Sequence, residues 1–185
     1  MRRLFQSGLL LLLIPAALHA TVIVPIDFRE LVTTAPVIVH GHVSDVRSAL
    51  VDGRRSVETF VTVTADEYLK GDLGAHVTFR VPGGEVGRYR TIFVGAPAFG
   101  TGDEVVLFLR TDGAALPFIV GLNQGAYRVV ADRQTGRRVV MTPILMGRAG
   151  GDAEPVVRGA PSRRPLSIEA FREAVRQAQA QGAVR

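Results

Sequence analysis

Read from its N-terminus, the chain passes through three patterns of apolar and polar positions. An unbroken apolar run occupies residues 9–18. After residue 25 a helical spacing takes over. Phe28, Leu31, Val32 and Ala35 fall on one stripe, the 3.6-residue period of a helix with one buried face. Asp27 stands at its N-cap position with Glu30 three residues on, and Ile26 and Leu31 occupy the staple positions. Pro36 ends this helix of about two turns, because the residue before a proline is pushed out of the α region. From Val37 the period shortens to two, and strands are expected. They are predicted at residues 37–43, 56–68, 77–81, 89–94, 105–109, 117–120, 127–131 and 138–141, separated by Gly, Pro and Asp turns. Val57, Thr59, Val61 and Val63 share one face of the second strand, and Val77, Phe79 and Val81 one face of the third. The stretch from Val105 to Leu109 is apolar at every position, which predicts burial on both faces. Many short strands with regular turn signals argue a sandwich or barrel. Residues 147–165, rich in Gly, Pro, Ala and Arg, read as a linker. A last helix over 166–185 begins at a Ser167 cap, with Leu166 and Phe171 as staple and Ile168, Phe171, Val175 and Ala178 as stripe.

Composition changes this picture at the two ends. Met1-Arg2-Arg3, the apolar run and Leu18-His19-Ala20 form the three parts of a secretory signal. The run is shorter than the ~20 residues a membrane span needs. The reading is therefore a signal peptide over 1–20, general secretion, and a periplasmic or extracellular destination without a stable membrane span. Arg2-Arg3 also has the look of a twin-arginine signal, but only the initiator Met precedes it. No cysteine stands near the expected cut, which argues against a lipid-anchored protein. The chain has no cysteine at all, so packing alone must stabilise it.

The pI of 10.6 suggests nucleic acid until the charges are placed. Residues 21–146 carry 13 basic and 13 acidic side chains, and the excess lies outside that segment. A neutral body argues against nucleic acid, whose binding rests on phosphate contacts. Arg54, Arg55, Arg88, Arg90, Arg137 and Arg138 beside Tyr89 would be the strip to watch, and a solvated face is the expectation for it.

Candidate chemistry is sparse. His40 and His42 lie two apart on a strand and share a face, but two imidazoles make half of a structural zinc site. They are expected as exposed polar residues opposite Val37, Val39 and Val43. Asp66-Glu67 and Asp103-Glu104 are adjacent pairs that face opposite ways on strands, so they read as solvated turn ends and not as paired catalytic carboxylates. No nucleophile motif stands out, and Gly100-Thr101-Gly102 lacks the following helix of a phosphate cradle. The sequence therefore predicts a non-enzymatic protein with no cofactor.

The order of short arm, short helix, Val39-His40-Gly41-His42-Val43, Tyr68-Leu69-Lys70-Gly71 and the run from Gly102 to Leu109 resembles the netrin-like domain of the tissue inhibitors of metalloproteinases. It is similar also to a class of secreted bacterial proteins of the same layout. The resemblance covers residues 21–122. It implies a small, mostly β barrel of the oligonucleotide/oligosaccharide-binding (OB) type over residues 21–146, flanked by an N-terminal and a C-terminal helix. Those inhibitors begin Cys-x-Cys-x-Pro after signal cleavage, and here Thr21-Val22-Ile23-Val24-Pro25 begins at the expected cut. The resemblance implies that the α-amino group and carbonyl of Thr21 would chelate a protease zinc. Thr21 and Ile23 replace both cysteines, so the disulfides that stiffen that arm are missing, and ordering the arm on binding subtracts from affinity. The expected function is a binding module for another exported or surface protein, a metalloprotease among the candidates. Its expected contacts are Thr21, Val22 and Pro25 on the arm, Gly83 and Gly84 in the loop 82–88, and Pro97 in the loop 95–102, since loops on a rigid scaffold carry recognition. An envelope structural protein is the second reading, and a hydrolase or metal-binding protein the third.

Overall fold

The structure, a computed structural model, describes residues 25–143 except residue 55, and residues 165–182. The expected signal peptide, the arm residues Thr21 and Val22, and nearly all of the linker lie outside the described residues.

Helix α1 (Phe28–Thr34) starts where the sequence places it, with the Asp27 carboxylate accepting from Arg29 N at 2.6 Å. Two long strands follow, β1 (Val37–Val51) and β2 (Ser56–Lys70), joined by a tight turn in which Asp52 and Gly53 both have positive φ. Such Asp-Gly turns match the right-handed twist of hairpin strands. β3 (His76–Pro82) pairs antiparallel with β2. A small separate hairpin, β4 (Gly84–Val86) and β5 (Tyr89–Thr91), intervenes before β6 (Glu104–Arg110). β7 (Phe118–Ile119), β8 (Ala126–Ala131), β9 (Arg138–Met141), β10 (Leu166–Ser167) and helix α2 (Ile168–Gly182) complete the chain.

The strands β1, β2, β3, β7 and β6 are hydrogen-bonded in that order, and β6 pairs back onto β1, so the sheet closes into a ring. Its seam is the parallel contact of β3 with β7, a single pair at Arg80 and Phe118. From β6 the sheet runs on through β8, β9 and β10. The curvature that closure needs is supplied by register shifts along β1 at Ile38/Val39, His40/Gly41 and Val43/Asp45, since bulges bend a strand and raise its twist. Gly41 is required there: a Cβ would stand 2.2 Å from the Thr64 carbonyl oxygen.

Two apolar cores result. Inside the ring lie Val39, Val43, Val61, Val63, Phe79 and Leu107 with their neighbours. Outside it, α1 and α2 cover Ile38, Val106, Phe108, Tyr127, Val129 and Val140. β6 separates the two, with Val105, Leu107 and Leu109 facing inward and Val106 and Phe108 facing the helices. The unbroken apolar run is explained by burial on both sides. Four rings, Phe28, Phe108, Tyr127 and Phe171, meet in the outer core at centroid distances of 5.2–6.4 Å. Every member of the predicted α2 stripe is buried, and Ser167 Oγ accepts from Ala170 N at 3.2 Å.

The Tyr68-Leu69-Lys70-Gly71 segment has structural work in this chain. The ammonium of Lys70 donates to the Val32 carbonyl at 2.7 Å and the Thr33 carbonyl at 3.3 Å, capping the C-terminus of α1. Tyr68 donates to the Gly74 carbonyl at 2.7 Å, and a Cβ on Gly71 would strike the Pro36 carbonyl at 2.6 Å.

Candidate functional site

At the seam the chain makes a concave surface. β3 ends at Pro82, and Gly83 and Gly84 turn the backbone with φ of +92° and +139°. A Cβ would stand 2.9 Å from the Thr91 carbonyl at Gly83, and 2.5 Å from Thr59 Oγ1 at Gly84. Both glycines are thus needed to lay the β4–β5 hairpin against the projecting ends of β1 and β2. It is fastened there by Val57 N to Thr91 Oγ1 at 3.0 Å and Thr59 Oγ1 to the Gly83 carbonyl at 2.8 Å. The segment expected as a strand over 89–94 stops at Thr91. Ile92, Phe93 and Val94 instead enter a turn, closed by Ala96 N to the Phe93 carbonyl at 3.2 Å and Asn123 N to the Gly95 carbonyl at 3.1 Å.

Beyond this turn Pro97 reaches a cleft of about 260 Å³, lined also by Glu58, Arg80, Pro82, Phe118 and Leu122. Val81 and Ile119, otherwise part of the ring interior, form its floor. Glu58 and Arg80 face each other at 3.8 Å on its wall. Leu122 has φ +57°, a left-handed conformation that is uncommon for a residue with a Cβ and that clusters at binding sites. The same turn holds the root of the N-terminal arm: Ile26 N donates to the buried Gln124 Oε1 at 2.7 Å, and a Cβ on Gly121 would meet Ile26 Cδ1 at 2.6 Å. Pro25 is exposed beside it in sequence. The structure therefore brings loop 82–88 and loop 95–102 to one place through Pro82 and Pro97, while Gly83 and Gly84 serve the backbone path. Phe118, Leu122, Glu58 and Arg80 are lining residues that the sequence reading missed. The only local signal for them was Gly121 in an otherwise apolar segment.

The histidines form a second feature, and here the expectation of exposure needs correcting. His40 is 3% exposed. It sits on the helix-covered side of β1, where Nε2 lies 2.7 Å from Glu104 Oε1 and donates to that carboxylate. Arg138 of β9 donates to the same oxygen. His42 is exposed, with Nδ1 2.8 Å from Asp66 Oδ2 and Nε2 3.8 Å from Glu104 Oε2. Glu67 pairs with Arg172 of α2 at 2.6 Å. Asp103 and Glu104 do face opposite ways, since Asp103 leaves the cluster to bind Arg128 at 2.7 Å, whereas Asp66 and Glu67 both border the cluster. Glu104, however, is no solvated turn end; its side chain is 14% exposed.

Burial pushes the His40 imidazole below its ordinary pKa of 6.5; Asp66 opposes that shift, while Arg138 and Arg172 add to it. Its Nδ1 is buried without a hydrogen-bond partner among the described residues. With one ring nitrogen on Glu104 and the other enclosed, His40 presents neither to an outside substrate. Among the described residues no group of three or more His, Asp or Glu side chains could hold a metal ion. Arg138, part of the arginine strip named from sequence, is drawn into this cluster and away from Tyr89, whose ring Arg88 covers instead.

No helix among the described residues is long and apolar enough to cross a membrane. No protein family, curated protein or solved structure matches the chain.

Proposed function

We propose that this chain is an exported binding module of the OB, netrin-like kind, whose seam cleft receives an apolar segment of another exported protein. The observation that carries the reading is the convergence of two loops marked from sequence, through Pro82 and Pro97, on one cleft with Phe118 and Leu122. Sites of this sort are concave, largely apolar and equipped with a few polar groups. Here the Glu58–Arg80 pair supplies the polar groups, and a volume of about 260 Å³ suits one or two large side chains. A five-stranded ring with one weak seam is in keeping with an OB-type barrel, which is five-stranded and partly open. Ile26 is tethered to the 121–125 turn, which also carries the cleft residue Leu122, so the described chain begins close to the cleft.

The test is capture of a stoichiometric partner from periplasm and culture medium by tagged protein beginning at Thr21. Phe118→Glu is expected to abolish capture while leaving the circular dichroism and melting of the protein intact. Undiminished capture by that variant would remove the cleft from the account. Extending the N-terminus by one residue should weaken capture only where the arm itself contacts the partner.

A further inference from the structure

The turn after β5 sets three consecutive large apolar side chains in solvent: Ile92 is 74% exposed, Phe93 49% and Val94 70%. Runs of this kind are selected against unless they have a role. The turn is not loose, being closed by the Phe93–Ala96 and Gly95–Asn123 backbone bonds and backed by Gly83. Immediately before it stand Arg88, Tyr89 and Arg90. Tyr89 is 40% exposed, and the Arg88 guanidinium lies 5.1 Å over its ring and donates to its hydroxyl at 3.0 Å. Neither Arg88 nor Arg90 has a carboxylate within ion-pair distance among the described residues, although Glu85 stands opposite Arg90 in the hairpin register.

We propose that this hairpin and its turn dock the protein on the surface of an anionic bilayer. Ile92, Phe93 and Val94 enter the boundary between headgroups and acyl chains, Tyr89 sits at headgroup level, and Arg88 and Arg90 meet lipid phosphates. The hairpin carries Arg88 and Arg90 against Glu85, a net positive charge next to the apolar tip, and cations at a membrane surface are drawn to anionic leaflets. Tyrosine and arginine suit that depth because each has an apolar body and a polar end. A bilayer is favoured over a protein because side chains exposed to about 70% protrude. A protein would need a preformed pocket for each, while lipid closes around any apolar tip. This surface adjoins the cleft through Gly95 and Pro97, but Ile92, Phe93 and Val94 are not among the residues that line it.

The chain contains no tryptophan, so Phe93→Trp creates a single reporter. Its emission should shift to the blue on adding vesicles of phosphatidylcholine with phosphatidylglycerol, and brominated acyl chains should quench it. Vesicles of phosphatidylcholine alone should give a much smaller response, and added salt should weaken the anionic one. A Phe118→Trp reporter in the cleft should not respond. Ile92→Ser with Val94→Ser should abolish co-sedimentation with the anionic vesicles. Arg88→Ser with Arg90→Ser should weaken it about 25-fold, from roughly fivefold per arginine. All four side chains are exposed, so far-ultraviolet dichroism should be unchanged. No emission shift from the Phe93→Trp protein with anionic vesicles, or equal sedimentation of the Ile92/Val94 variant, would overturn the proposal. So would a shift of that reporter produced only by a captured protein.

Discussion

Glu104→Gln is the perturbation whose cost follows most directly from the geometry. The native carboxylate accepts from two donors of unequal standing. His40 is 3% exposed and has no water to turn to, so its bond at 2.7 Å is a charge-assisted one between enclosed groups. Losing such a bond costs about 1.5–3 kcal/mol. Arg138 is half exposed and can swing into solvent, so its share is that of a surface pair, about 0–1 kcal/mol. Both donors meet the same carboxylate oxygen, so a glutamine carbonyl turned to that position still accepts from each, as a neutral acceptor about half as strong. A loss of about 1–2 kcal/mol is therefore expected, read as a lowered urea midpoint with an unchanged slope at pH 7.5. His40→Leu should also destabilise, but the double variant should cost less than the sum, because removing both partners of a buried pair leaves no orphan. A loss under about 0.5 kcal/mol for Glu104→Gln, within the range of ordinary surface changes, would refute the view that this cluster is enclosed.

The same cluster sets a pH dependence. Burial lowers the His40 pKa in the folded protein below 6.5. Below that value the unfolded chain therefore binds more protons than the folded one, and stability falls as pH drops through this window while remaining full above it. Urea unfolding of the native protein against His40→Leu between pH 7.5 and 5 checks this, the variant showing the shallower slope. Phe171→Ala removes a ring packed against Phe28 and Tyr127 at 5.5 and 5.2 Å and should cost about 3–5 kcal/mol. A native-like melting curve for it would mean that α2 does not hold the outer core. Leu122→Gly should relieve a left-handed backbone, leaving the melting temperature equal or higher, yet weaken partner capture because the cleft loses an apolar wall. Full capture by that variant would contradict the role given to Leu122.

Local signals carried the elements well. The Asp27 and Ser167 caps, the α1 and α2 stripes, the alternation in β2 and β3 and the apolar run of β6 each reflect contacts within a few residues or a uniform environment, and periodicity records both. The end of β5 was misplaced because Ile92, Phe93 and Val94 have strand-forming character but lack a partner strand. Burial of His40 was invisible for a different reason. It depends on Glu104, Arg138 and α2, which are 64 residues away and more, and on a bulge at Gly41 that no period announces. The cleft was half legible. Its proline and glycine loops were marked, whereas Phe118, Arg80 and Glu58 meet only because β3 and β7 form the seam.

The central claim, that the seam cleft is the binding surface, is tested most directly by photo-crosslinking from inside it. p-Benzoylphenylalanine would replace Phe118 in one protein and the exposed Gln177 of α2 in another, each irradiated with periplasmic and extracellular fractions. One discrete crosslinked protein is expected from position 118 and none from 177. Identical patterns from both positions, or a product from 177 alone, would contradict it.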